Sequence, residues 1–223
     1  MARKAGMVHS VASLVPVFNG LAGEIMPGVE ILHVVDEGLL KDVINTGKYS
    51  TGAARRLGLL ASFTVESGAE AVMLTCSTLG VLVEEARKML KVPLIKVDEA
   101  MADEAVRLGT RIGVIASLYT TLDPTSGLVQ ERAALANRDV DVETVLCQGA
   151  FEALRAGDTA THDRIVLEHL RKLMERSDVV VLAQASMARV ADTILAAERK
   201  SPVLSSPRLG MQRFKQVLEG LSS

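Results

Sequence analysis

The sequence predicts an α/β protein built from two pseudo-twofold-related, doubly wound parallel four-stranded sheets with the active-site cleft between them. Three observations predict it. Short β-branched runs alternate with longer segments of helical period, the pattern of βαβ units. The order of those segments repeats once along the 223 residues. Hydrophobic residues make up 48% and charged ones 23%, enough apolar material for a sizeable core, and only 3% are aromatic, so aliphatic side chains must do the packing.

Taken in order, the strands are an N-terminal segment around Met7 to Leu14, then Val29 to Val35, Ala71 to Leu74, Pro93 to Val97, Arg111 to Ala116, Val140 to Leu146, Val179 to Leu182 and Pro202 to Leu204. Leu79 to Leu90, Ala100 to Leu108, His162 to Arg176 and Met187 to Lys200 carry apolar residues at spacings of three and four, and read as helices. The duplication is drawn by laying Met7 to Leu14 over Arg111 to Leu118, which share the ending Ala-Ser-Leu. Val29 to Val35 then lies over Val140 to Leu146 with Gly38 opposite Gly149, and Ala71 to Cys76 over Val179 to Gln184. Pro93 and Pro202 each open a last strand, and the offset drifts from 104 to 111. The implied lobes are residues 1–98 with 208–223, and residues 99–207.

Lys and Arg total 25 against 27 Asp and Glu, a net charge of -2 that gives no reason to expect a nucleic acid or an anionic membrane as partner. Two cysteines, Cys76 and Cys147, form neither a disulfide framework nor a zinc cluster, which points to a reducing, cytoplasmic setting. The basic start and apolar stretch of the first 24 residues resemble a secretory signal, but His9, Ser10, Ser13 and Pro16 interrupt it and the duplication requires it as a strand. No apolar run reaches the length of a membrane span. Symmetric association into a homo-oligomer is expected of a small α/β protein. Neither a phosphate loop nor a dinucleotide fingerprint is present, and His33, His162 and His169 lack partners at metal spacing, so they read as structural or surface residues. No cofactor and no metal are predicted.

Ligands of doubly wound sheets sit outside the carboxyl ends of the strands. Cys76 follows a buried strand and precedes a helix with Glu84 and Glu85 early and Arg87, Lys88 and Lys91 late, the charge order that complements a helix dipole. A thiol at a helix start is poised toward the thiolate, Ser77 or Thr78 suits the capping position, and the free N–H groups can hold a carboxylate. Burial as a small apolar filler is the alternative for such a cysteine, and that role is assigned to Cys147. Asn19, and Thr120 with Thr121, fall in the first loop of each half and face the cleft by symmetry. Gln184 occupies the place equivalent to Cys76.

Leu74-Thr75-Cys76-Ser77-Thr78, the run Ile112 to Thr121 and the duplication together resemble the aspartate/glutamate/hydantoin racemase superfamily, which also contains maleate isomerase and arylmalonate decarboxylase. The resemblance spans nearly the whole chain and implies a cofactor-independent enzyme acting on a small carboxylic acid or amino-acid derivative. Racemising members use one cysteine from each half, on opposite faces of the α-carbon. Cys76 matches the first. The segment Leu182 to Met187 carries Gln184 where the second belongs, and an amide exchanges no proton near neutral pH. The resemblance also implies that Ser77, Thr78 and Tyr119 grip the substrate carboxylate. Three readings follow: an isomerase or racemase with a single cysteine as acid/base or nucleophile, a decarboxylase that protonates an enediolate, and a carboxylate-binding protein without turnover. In the related decarboxylase the lone cysteine stands at the place of Gln184, so decarboxylation here implies the mirror-image product.

Overall fold

A computed structural model describes residues 2–194 and 200–221. The chain forms two compact units, Met1–Val97 with Pro207–Ser223, and Asp98–Ser206. Unit 1 contains β1 (Lys4–His9), α1 (Val15–Ile25), β2 (Glu30–Val35), α2 (Glu37–Thr46), α3 (Thr51–Glu66), β3 (Val72–Leu74), α4 (Val83–Arg87) and β4 (Leu94–Lys96). Unit 2 contains α5 (Glu99–Leu108), β5 (Arg111–Ala116), α6 (Tyr119–Leu135), β6 (Asp141–Leu146), α7 (Ala150–Arg155), α8 (Thr159–Met174), β7 (Val179–Leu182), α9 (Ala188–Thr193) and β8 (Val203–Ser205). The last helix, α10 (Ser206–Gly220), belongs to unit 1, where Met211, Phe214 and Leu218 pack with Phe18, Met73 and Val97.

Each unit holds one all-parallel four-stranded sheet, in the order β2-β1-β3-β4 and β6-β5-β7-β8. Strands β3 and β7 are buried along their whole length, which explains why they read as unbroken aliphatic runs. The edge strands β2 and β6 alternate more freely because part of each meets solvent. Helix starts are set by local side chains: Asp36, Ser50 and Asp158 accept the backbone N–H of Leu39, Ala53 and Thr161 and so begin α2, α3 and α8.

The register places the duplication differently at its first element. Lys4 pairs with Glu30 and Val8 accepts from the N–H of Thr75; Arg111 pairs with Asp141 and Ile115 accepts from the N–H of Ala183. Lys4 is therefore equivalent to Arg111, an offset of 107, not the 104 that the shared Ala-Ser-Leu predicts. Gly6 and Gly113 coincide in this register. A side chain at Gly6 would strike Thr64 of α3, and one at Gly113 would come within 2.6 Å of Leu173 of α8, so the same glycine lets the same crossover helix approach in both units. Ala12-Ser13-Leu14 is a 3-10 turn after β1, whereas Ala116 still lies in β5. The other two correspondences keep their predicted offsets, and Cys76 remains opposite Gln184.

Several predicted elements change character. Leu79 to Leu90 is not one helix: a 3-10 segment, Thr78–Leu82, leads into the five-residue α4. Met187 to Lys200 is a 3-10 turn and α9, and residues 195–199 of that predicted helix lie outside the described residues. Asn19 is inside α1, and Thr120 and Thr121 open α6, so none of the three is a loop residue. The stretches Asp36 to Thr51 and Gln148 to Thr161 contain α2 and α7.

Candidate functional site

In unit 1 the chain leaves β1 for β2 on one side and then crosses to β3 on the other, so the carboxyl ends of β1 and β3 form the switch point where open α/β sheets hold ligands. The residues arriving there are His9 at the end of β1, Ser10 after it, and Thr75 and Cys76 after β3. Strand alternation carries through: Met73 packs with Phe18 on the α1 and α10 face, while Leu74 and Cys76 pack on the α2 and α3 face. Cys76 is half-buried and packs against the cluster that includes Leu57, Leu79 and Leu82. Ser77 precedes the 3-10 segment in a right-handed helical conformation and makes no side-chain capping bond, contrary to the capping role that the sequence predicts for it. The thiol therefore stands before a 3-10 turn, where the aligned-dipole argument is weaker than before a full α-helix. Thr78 is buried, and Gly80 of the turn lies against the stem of Lys96, whose ammonium is 3.6 Å from Glu84.

A hydrogen-bonded chain crosses the same switch point. The Thr75 hydroxyl is 2.8 Å from His9 Nδ1 and 3.2 Å from the carbonyl oxygen of Val8. His9 Nε2 is 2.8 Å from His33 Nδ1, and His33 Nε2 is 2.8 Å from Asn19 Oδ1. His9 is only 1% exposed, with the ring of Phe18 5.6 Å away. Burial, and then the neighbouring His33, lower the His9 pKa to about 4; burial lowers that of His33. From sequence alone His33 reads as a structural or surface residue, and His9 only as an interruption in an apolar stretch. The signal that links them is positional: both lie at carboxyl ends of adjacent strands, with Met7 paired to His33 and His9 to Val35.

Unit 2 has its switch point between β5 and β7, and it is built from different groups. Ala116 stands where unit 1 has His9, Ala183 where it has Thr75, and Gln184 where it has Cys76. The Gln184 side-chain oxygen accepts from the Ser117 N–H at 2.6 Å and from its hydroxyl at 2.9 Å. Its amide nitrogen is thereby left as the group with donors to offer. Tyr119, the first residue of α6, is 64% exposed, whereas Thr121 beside it is buried. Asn19 and Cys76 are thus gathered at the unit 1 switch point, and Tyr119, Thr120, Thr121 and Gln184 follow the central strands of unit 2.

Cys147 is fully buried with Ile115, Val166 and Leu182, and burial pushes its thiol up to about 12. His162 is buried too, within 2.6 Å of Asp163, which Arg189 also holds; His169 donates to the Ile165 carbonyl one turn back. A cavity of about 410 Å³ between α2 and α3, lined by Leu39, Asp42, Lys48, Ser50 and Arg56 among others, includes none of the residues picked out from the sequence. No helix among the described residues is long and apolar enough to cross a membrane. Among those residues no group of three or more His, Cys, Asp and Glu stands close enough to hold a metal ion.

The chain is thus two parallel α/β units, each with a switch point of its own between its two central strands. Residues 8–214 match the family model described as Asp/Glu/Hydantoin racemase, and the chain belongs to that family. A glutamate racemase of Pseudomonas paraeruginosa is 30% identical over 150 residues, covering 65% of this chain and 54% of the relative; one of Pseudomonas putida is 30% identical over 194 residues, covering 84% and 65%. The matched stretch thus spans between about half and two thirds of those relatives. The fold is shared with a glutamate racemase isoform of Bacillus anthracis, at a TM-score of 0.75 and 17% identity over 98% of this chain and 82% of that one. It is shared too with an allantoin racemase of Klebsiella pneumoniae, at 0.72 and 18% over 98% and 88%.

Proposed function

We propose that this chain is a cofactor-independent racemase-family enzyme that moves a proton at the α-carbon of a small carboxylic acid or amino-acid derivative, with Cys76 as its acid/base. The observation that carries the reading is the position of Cys76: a half-buried, and so partly accessible, residue directly after β3 at the unit 1 switch point, in a chain whose family match runs from residue 8 to 214. The fully buried Cys147 lacks that access. In this reading Ser77, Thr78 and Tyr119 hold the substrate carboxylate, Asn19, Thr120 and Thr121 also bind substrate, and the Gln184 amide donates to an oxygen that gains charge as the α-proton leaves. The second proton-handling residue is not a cysteine, since Gln184 stands in its place.

The substrates named for the relatives, glutamate and allantoin, set the probes, to which aspartate and simple hydantoins are added. Each is incubated with the protein in heavy water and the α-proton signal followed by NMR. Loss of that signal with at least one probe, abolished in Cys76→Ser, is the expected result. Retention of every α-proton across the panel, or washout at an undiminished rate in Cys76→Ser, overturns the reading.

A further inference from the structure

We infer that His9 and His33, with Thr75 and Asn19, form a relay that stores one proton behind the turn bearing Cys76 and positions that turn for the reaction. The inference rests on the function proposed above and deepens it, because it supplies unit 1 with a proton-handling group besides the thiol.

Donors and acceptors decide the argument. With both rings neutral, the Thr75 hydroxyl donates to His9 Nδ1, His9 Nε2–H donates to His33 Nδ1, and His33 Nε2–H donates to Asn19 Oδ1; every contact is 2.8 Å and each donor has an acceptor. One proton can be added without moving a heavy atom. The Thr75 hydroxyl turns to the Val8 carbonyl at 3.2 Å, His9 Nδ1–H then donates to Thr75, and the bridging proton lies on either side of the contact between the rings. A second proton would set two N–H groups against each other across 2.8 Å, so the capacity of the pair is one.

Neither ring hydrogen-bonds to a carboxylate among the described residues, and the buried Asp98 follows β4 at the same end of the sheet. From β2 comes only His33. Just beyond β2, Asp36 is held by Arg56 of α3, and the carboxylate of Glu37 in α2 accepts the N–H of Ala12. Lys96 at the end of β4 faces Glu84, α1 contributes Phe18 and Asn19, and Glu24 farther along α1 is engaged by Arg208 of α10. A carboxylate arriving at the switch point adds negative charge beside the rings and favours the protonated form. Thr75 is tied to Val8 through its backbone and its side chain, so it anchors the turn as well as ending the relay.

Two measurements test this. In the free protein, NMR of nitrogen-15-labelled histidine through an acid titration should show the His9 and His33 rings moving together with the uptake of one proton; two independent steps, one proton each, overturn the relay. In the heavy-water assay, with whichever of L-glutamate, L-aspartate and allantoin the wild type exchanges, Thr75→Val should lower the exchange rate about tenfold, change KM less than twofold and shift the acid limb of the pH profile, and Thr75→Ser should restore all three. A Thr75→Val protein with the wild-type rate and profile overturns the positioning role. If the wild type exchanges none of the probes, it is the proposed function that fails, and the joint titration alone decides the relay.

Discussion

At the carboxyl ends of β1 and β3, unit 1 carries an imidazole, a threonine hydroxyl and a thiol in adjacent positions; at the equivalent ends of β5 and β7, unit 2 carries Ala116, Ala183 and Gln184. The backbones are the same there: Thr75 donates to Val8 as Ala183 donates to Ile115, and Glu70 donates to Lys4 as Asp178 donates to Arg111. Even the ion pairs at the opposite ends of the strands recur, Arg3 with Glu70 and Arg111 with Asp178. The duplicated scaffold has kept its main-chain geometry while titratable chemistry collected on one side. In the proposed reading, the groups that move protons belong to unit 1, and the amide of Gln184 in unit 2 only donates hydrogen bonds.

The sharpest way to break that division is Cys76→Ser, expected to lower α-proton exchange by about a hundredfold or more, ~3 kcal/mol of transition-state stabilisation, while Cys147→Ala leaves exchange intact and costs only stability. Equal loss in both variants would end it. Acid should also separate the units. His9 is held at about 4 in the folded chain against its ordinary 6.5, so between those values the unfolded chain binds the extra proton. The stability this contributes is complete above about pH 6.5 and is lost as the pH falls to about 4, on the order of 3 kcal/mol in all. Denaturant titrations across that range should show the slope in wild type and a flatter one in His9→Phe.

A third comparison sets Gly6→Ala against Gly113→Ala. Both insert a methyl group under a crossover helix, at a cost of about 1–3 kcal/mol each. Gly6→Ala should be the worse, because its methyl group would come closer to the branched Thr64, whose hydroxyl is tied to the Ala61 carbonyl, than one at Gly113 would to Leu173 and Ser177. Thermal melts of the two variants give the order. Gln184→Leu removes the amide and unpairs Ser117, and should raise KM about tenfold, close to 1.4 kcal/mol, with less effect on kcat than Cys76→Ser. The smallest effect belongs to Arg111→Ala. Its partner Asp178 is held well below the usual carboxylate range by two backbone N–H groups as well as the guanidinium, yet the pair is exposed, so its loss should shift the thermal melt least of these changes.

The strands were legible because parallel strands buried on both faces must be aliphatic, as Val72 to Leu74 and Val179 to Leu182 are. Helix α6 was not. Its inward stripe is Thr121, Leu122, Thr125, Leu128, Val129 and Ala133, so threonines stand at two apolar positions, and Pro124 interrupts the pattern. The offset of the first repeat misled because three shared letters, Ala-Ser-Leu, outweighed two separated ones, Gly6 with Gly113 and Ser10 with Ser117. A glycine demanded by a helix passing overhead leaves no periodic trace. Within the candidate site, Cys76 could be placed from local pattern alone, since it follows a strand and precedes a polar turn.

The amino-acid sequence by itself determined the class of fold, the number and direction of the strands, and the place of Gln184 opposite Cys76. These depend on hydrophobic periodicity and on residue identity, which are local properties of the chain. Tertiary structure decided that Cys147 is sealed, that Asn19 and Thr121 are helical, and that His9, His33, Thr75 and Asn19 touch. Those four residues span 66 positions between His9 and Thr75 alone. They meet only because parallel strands bring carboxyl ends together, and no spacing along the chain encodes that meeting.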